Sequence, residues 1–187
     1  MSDDNHTQTS QVSCELLIPM AWNTDYGAAR PGEALHMQNI QRLQAIEALE
    51  SSGHKKTEQP TGPEAEIQRL ESKLNLALDL LATLVEQAHP RPLPHTVQLA
   101  GSWARWTSLD AVEHDSHGRL ALYLHPLLAQ PVILPARMQC EPQPHAPDEY
   151  RLHCHFDPMP DDVADALLAY VFRGHRRAVA EKRLHSE

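Results

Sequence analysis

Apolar residues recur along this chain with two different periods. Between Glu64 and His89, in EAEIQRLESKLNLALDLLATLVEQAH, residues Ile67, Leu70, Leu74, Ala77, Leu81, Leu84 and Ala88 are spaced alternately by three and four. A mean spacing of about 3.5 is that of a helix whose apolar seam stays against a partner over its whole length. No Pro or Gly interrupts the stretch, and Ala, Leu, Glu, Gln and Lys fill it. The period alone leaves two readings open: a long amphipathic helix packed on its own domain, or a self-associating coil. Upstream, Met37, Ile40, Leu43, Ile46 and Leu49 recur every three residues, which predicts a first helix over Glu33 to Glu50. Its stripe drifts slowly around the surface and suits an oblique wrap across another helix. Ser51-Ser52-Gly53 ends that helix and opens a polar loop.

After His89-Pro90-Arg91-Pro92-Leu93-Pro94 the period shortens. His95 to Leu99, Ala104 to Thr107, Arg119 to His125, Val132 to Cys140 and Glu149 to Phe156 all read as strands. Turn residues separate them, notably Asp115 to Gly118, and the Pro-rich Glu141 to Asp148 reads as an exposed loop. Short antiparallel strands at this spacing indicate a small barrel or sandwich. Near the start, Ser13 to Trp22 gives another short apolar run, in which Pro19 marks an edge or a strand end. Asp157-Pro158-Met159-Pro160 leads into a last helix, Asp161 to about Arg183, whose apolar face carries Val163, Leu167, Leu168, Tyr170 and Val171. Its basic end, Arg173, Arg176, Arg177, Lys182 and Arg183, is favoured by the helix dipole.

Composition narrows the function. The net charge of −9 disfavours a nucleic-acid binder, which needs excess Lys and Arg against phosphates. Three cysteines, Cys14, Cys140 and Cys154, form no CxxC pair and point to a reducing, cytoplasmic compartment. The polar start MSDDNHTQTS is unlike a secretion signal, and no apolar run approaches the roughly 18 residues of a membrane span.

From Val97 to Arg183 the chain resembles a PilZ domain. The likeness rests on Gly118-Arg119-Leu120-Ala121-Leu122-Tyr123-Leu124 with its proline turn, the strand Ala136 to Cys140, Tyr150-Arg151-Leu152-His153-Cys154-His155-Phe156, and the closing helix. The resemblance implies an α+β protein: a six-stranded antiparallel barrel with a C-terminal helix. Many such domains bind cyclic di-GMP and pass that signal to motility, adhesion or polysaccharide machinery. The first strand is missing from the matched half, and Ser13 to Trp22 could supply it. The arrangement then looks like the tetrameric PilZ proteins of xanthomonad-type bacteria, in which two long inserted helices interrupt the barrel and a heptad helix forms a coiled-coil bundle of four chains. The implied organisation is a disordered tail (1–12), a first barrel strand (13–22), an inserted helical oligomerisation segment (23–94), and the remainder of the barrel with its helix (95–187).

The ligand motifs depart from the family. Cyclic di-GMP binders carry an RxxxR segment, whose guanidinium groups clamp phosphates and stack on guanine. Here Arg91 is followed four residues on by His95, and Arg30 by Ala34. The [DN]xSxxG turn falls on Gln98-Leu99-Ala100-Gly101-Ser102-Trp103, so Gln98, Ala100 and Trp103 replace its three key residues. Weak or absent direct binding of the messenger is expected, with action through unidentified protein partners. A direct receptor using a non-standard set, Arg30 or Arg91 with Arg105, is the alternative.

No catalytic constellation, cofactor or metal set is expected. Ser102 is in no GxSxG elbow. Asp161, Asp162 and Asp165 read as a charge set at a helix N-terminus. His153-Cys154-His155 on a strand puts both histidines on one face and the cysteine on the other, with no second cluster to complete a zinc site. Trp103 and Trp106 fall on opposite faces of a strand, one suited to the core and one to a partner.

Three features then favour a bundle of more than two chains. Leu78 and Val85 extend the apolar face at the e positions, and Leu80 at g, where a two-stranded coil usually carries charges. Leu occupies the central a positions Leu74 and Leu81. The neighbouring helix has a stripe suited to packing outside such a bundle. Four chains, and their parallel sense, follow from the resemblance.

Overall fold

The computed structural model describes residues 12–24, 32–52, 63–88 and 90–184. The expected tail, apart from Val12, the loop 53–62 and Arg30 lie outside these residues. In chain order come β1 (Ser13–Asn23), α1 (Glu33–Ser52), α2 (Pro63–Ala88), β2 (Pro94–Ala100), β3 (Trp103–Ser108), β4 (Ser116–Leu122), β5 (Val132–Gln143), β6 (Ala146–Phe156) and α3 (Asp161–Leu184). The six strands close into an antiparallel barrel in the order β1-β2-β3-β6-β5-β4.

Alternation builds the barrel. Val97 and Leu99 on β2, Ala104 and Trp106 on β3, and Leu152 and Cys154 on β6 point inward and are buried. The residues between the two of each pair, Gln98, Arg105 and His153, face outward, as a two-residue period requires. Pro19 sits inside β1 rather than at an edge. It marks where β1 changes partner, pairing with β2 up to Pro19 and with β4 from Met20 onward. A residue without an N–H is tolerated at that changeover, and its carbonyl accepts the Tyr123 N–H at 3.1 Å.

Two turn and loop expectations are corrected as well. The fourth strand runs from Ser116 to Leu122, and only His114 and Asp115 turn, Asp115 with φ 63°. An Asp tolerates that left-handed conformation, so Gly118 is not needed in the turn. Gly118 instead lies in β4 beneath Trp22, where an added Cβ would stand 2.6 Å from the Asn23 carbonyl oxygen and 2.7 Å from the Trp22 ring. Gly118→Ala is therefore expected to lower stability by about 1–3 kcal/mol, read as a shift in the urea midpoint. The second correction is the Glu141–Asp148 loop. There β5 and β6 continue, leaving only Pro144 and His145 between them, and a register shift between Pro142 and Gln143 accommodates the prolines.

Helix α3 seals the barrel with Val163, Leu167, Tyr170 and Val171, and the Tyr170 hydroxyl donates to the Leu124 carbonyl at 3.1 Å. Helix α1 packs on α3 and β5. Leu43 and Ile46 of its stripe are buried there, beside a buried Asn39. The Asn39 amide donates to the Ile133 carbonyl at 2.7 Å and accepts the Ile133 N–H at 3.0 Å, so it pairs with the start of β5 as a further strand would. Arg42 donates to the Pro131 carbonyl at 2.7 Å. The stripe of α1 thus faces its own barrel and α3, whereas the sequence reading placed this helix outside the bundle. Among the described residues, no other element packs against α2.

Candidate functional site

Helix α2 carries the first candidate surface. Ile67, Leu70, Leu74, Leu81 and Leu84 of the seam are between 56% and 65% exposed, and Ala77 is exposed beside them. Leu78 is half-buried, and Val85 and Ala88 belong to the same helix. Leu76 and Leu80 are also exposed. Leu76, at a c position, was missed by seam counting. Together with Leu80 at g it widens the apolar arc around residues 74–81, where only Asn75 and Asp79 are polar. A helix that is apolar over most of its circumference is a buried helix, yet among the described residues no other element packs against it.

The barrel surface near β2 and β3 is the second candidate. Gln98 projects outward from β2, and its amide donates to Ser13 Oγ at 3.1 Å. Ala100 is fully buried at the end of β2, and Trp103 opens β3 half-buried. Trp103 meets His153 edge-on at 5.4 Å between ring centroids, and the Arg105 guanidinium lies 5.2 Å from the Trp103 ring centroid. Trp106 faces the core. Arg91 donates to the Pro126 carbonyl at 2.7 Å and lies 5.8 Å from the centre of the Tyr123 ring. That is beyond the end of β4, the strand across the barrel from the β3 that carries Arg105.

His153 and His155 share the outer face, with ring centroids 4.0 Å apart, while Cys154 points into the barrel. Burial, then the neighbouring His155 and Arg105, push His153 down to about 4. Burial pushes the inward Cys154 thiol up. Among the described residues no group of three or more His, Cys, Asp or Glu side chains could hold a metal ion.

The basic end of α3 is tied to α1. Arg177 and Arg173 donate to the two oxygens of Glu50 at 2.6 and 2.9 Å. Burial pushes the Glu50 carboxyl up, but these two arginines outweigh it and hold the group below its usual range. A hollow of about 440 Å³ beside this latch is lined by Glu50, Ser51, Arg173, Arg176, Arg177 and Ala180. Asp161 and Asp162 stand in the first turn of α3, at its positive end, and Asp162 accepts the Val163 N–H at 2.8 Å.

A family model for the atypical PilZ domain, described as a cyclic di-GMP receptor, matches residues 40–184. The chain belongs to the atypical PilZ domain family. A solved relative is a pathogenic protein from Xanthomonas campestris, described as a tetrameric PilZ domain self-assembled via a helical bundle. It is 27% identical, with a TM-score of 0.73 over 92% of each chain. No curated protein matches the chain. As a PilZ domain, the barrel with its C-terminal helix is of a type that serves cyclic di-GMP signalling. No helix among the described residues is long and apolar enough to cross a membrane.

Proposed function

We propose that this PilZ protein is a non-enzymatic, cytoplasmic interaction module in cyclic di-GMP-linked regulation of motility, surface behaviour or virulence. In this reading it assembles as a homotetramer through the heptad seam of α2. Residues 23–94 are the inserted assembly segment, and the barrel is built from 13–22 and 95–187. The observation that carries the reading is the α2 seam, apolar and exposed, with no other element among the described residues against it. Exposed apolar stripes of this length mark protein interfaces. The helical-bundle tetramer of the Xanthomonas campestris relative supports four chains.

Direct messenger binding is weak or absent in this reading. Gln98, Ala100 and Trp103 stand at the turn positions, Ala100 is buried, and Arg91 is engaged by Pro126 and Tyr123 away from Arg105. Calorimetric titration with cyclic di-GMP up to about 100 μM is expected to give no saturable heat. Saturable low-micromolar binding would overturn this part of the reading. A second reading, a direct receptor, is favoured by the family description and by Arg105 beside Trp103. Under it, Arg105→Ala abolishes a binding that the wild type displays.

A further inference from the structure

Strand register arranges the outer faces of β3, β6 and β5 as a grid. Arg105, His153 and Gln139 lie in one row. Thr107, Arg151 and Glu141 form the row on one side, and Trp103, His155 and Arg137 the row on the other. A hollow of about 190 Å³ opens in the middle, lined by Arg105, Gln139, Glu141, Arg151 and His153. Two of its polar atoms, Arg105 Nε and His153 Nε2, are buried without a hydrogen-bond partner. Unpaired buried polar atoms are costly, and a site that keeps them is one that a ligand can complete.

We propose that this β3–β6–β5 face docks an acidic segment of a partner protein, with one carboxylate entering the hollow between Arg105, His153 and Arg151. The proposal rests on the reading of this chain as an interaction protein. Charge selects the occupant. The protein as a whole is acidic at −9, yet the hollow presents two guanidinium groups against the single carboxylate of Glu141. Arg137, at the edge of the face, is already paired with Asp115. That balance suits a monoanion such as a side-chain carboxylate better than a phosphate dianion. At about 190 Å³ the hollow takes the tip of a side chain rather than a dinucleotide. A closed barrel offers no free edge, so a partner cannot add a strand and must be read through side chains.

His153 gives the site a signature. It is uncharged at neutral pH in the free protein, held so by burial, by His155 on its own strand and by Arg105 on β3. Arg151 on β6 and Glu141 on β5 also line its hollow. A bound carboxylate offsets the two arginines and favours the imidazolium, so binding takes up a proton and strengthens as pH falls.

The test is anisotropy of a short fluorescent poly-glutamate peptide with the full-length protein at low salt. Saturable binding is expected, tightening as pH falls from about 7.5 to about 5.5, where glutamate side chains stay ionised. Arg105→Gln and Arg151→Gln are each expected to weaken it about tenfold, while Arg176→Gln on α3 leaves it unchanged. The His153 imidazole resonances should move on peptide addition. Absence of saturable binding overturns the proposal, as does equal binding by the two face variants. Equal loss with Arg176→Gln would move the site to the end of α3, and inorganic phosphate binding more tightly than the peptide would make it a small-anion site. Each of these also contradicts it. Cyclic di-GMP titration of the wild type tests the interaction-protein reading separately.

Discussion

Replacing Leu74 and Leu81 together by Asp is expected to give single chains of 21.0 kDa with an unaltered barrel. Both leucines are exposed in the isolated chain, at 60% and 57%, and among the described residues no other element packs on their helix. Removing them therefore costs the monomer almost nothing. In a bundle the same side chains meet at the seam, where each buried leucine contributes about 1.5–3 kcal/mol. Two layers of carboxylates in that seam add repulsion and the desolvation of unpaired charge, which no packing gain offsets. Light scattering at matched concentration measures the mass, and near-ultraviolet circular dichroism reports the packing around the barrel tryptophans. A variant that keeps the wild-type assembly would remove α2 from the interface. A variant that loses the tryptophan signal would show that α2 supports the barrel instead.

The second large effect is expected at Asn39. Its amide holds both the N–H and the carbonyl of Ile133 where β5 begins, in a position only 2% exposed. Asn39→Ala leaves two part-buried backbone groups without these partners and removes a contact between α1 and the barrel. Leaving a buried polar group unsatisfied costs about 1–3 kcal/mol, so a loss of roughly 2–4 kcal/mol is expected for the pair. Urea unfolding of wild type and variant measures it. A change below about 0.5 kcal/mol, the ordinary scale of a surface substitution, would mean that α1 is not docked through this residue.

The same two regions mark what the sequence made legible. The seam of α2 could be read because heptad spacing is a local property that needs no knowledge of the partner. The barrel strands could be read because Val97, Leu99, Ala104, Trp106, Leu152 and Cys154 alternate with polar residues, and alternation fixes which side faces in. The docking of α1 could not. Asn39 reads as one polar residue in a helix, and its bonds span 94 positions to Ile133. Glu50 gives no local sign that it will meet Arg173 and Arg177 across more than 120 positions. Pro19 and Gly118 misled for a related reason. Each is a breaker in isolation, but one sits where a strand changes partner and the other where a tryptophan needs room. Of the candidate surfaces, the place of Gln98, Ala100 and Trp103 around the turn between β2 and β3 was legible in sequence. The grid of Arg105, His153 and Arg151 was not, because it depends on the register between three strands.

Self-assembly through α2 is the central claim, and the mass of the wild-type protein in solution tests it most directly. Sedimentation equilibrium across a range of low-micromolar concentrations should return four times the 21.0 kDa chain mass. A chain that sediments at its single-chain mass throughout that range would contradict the account.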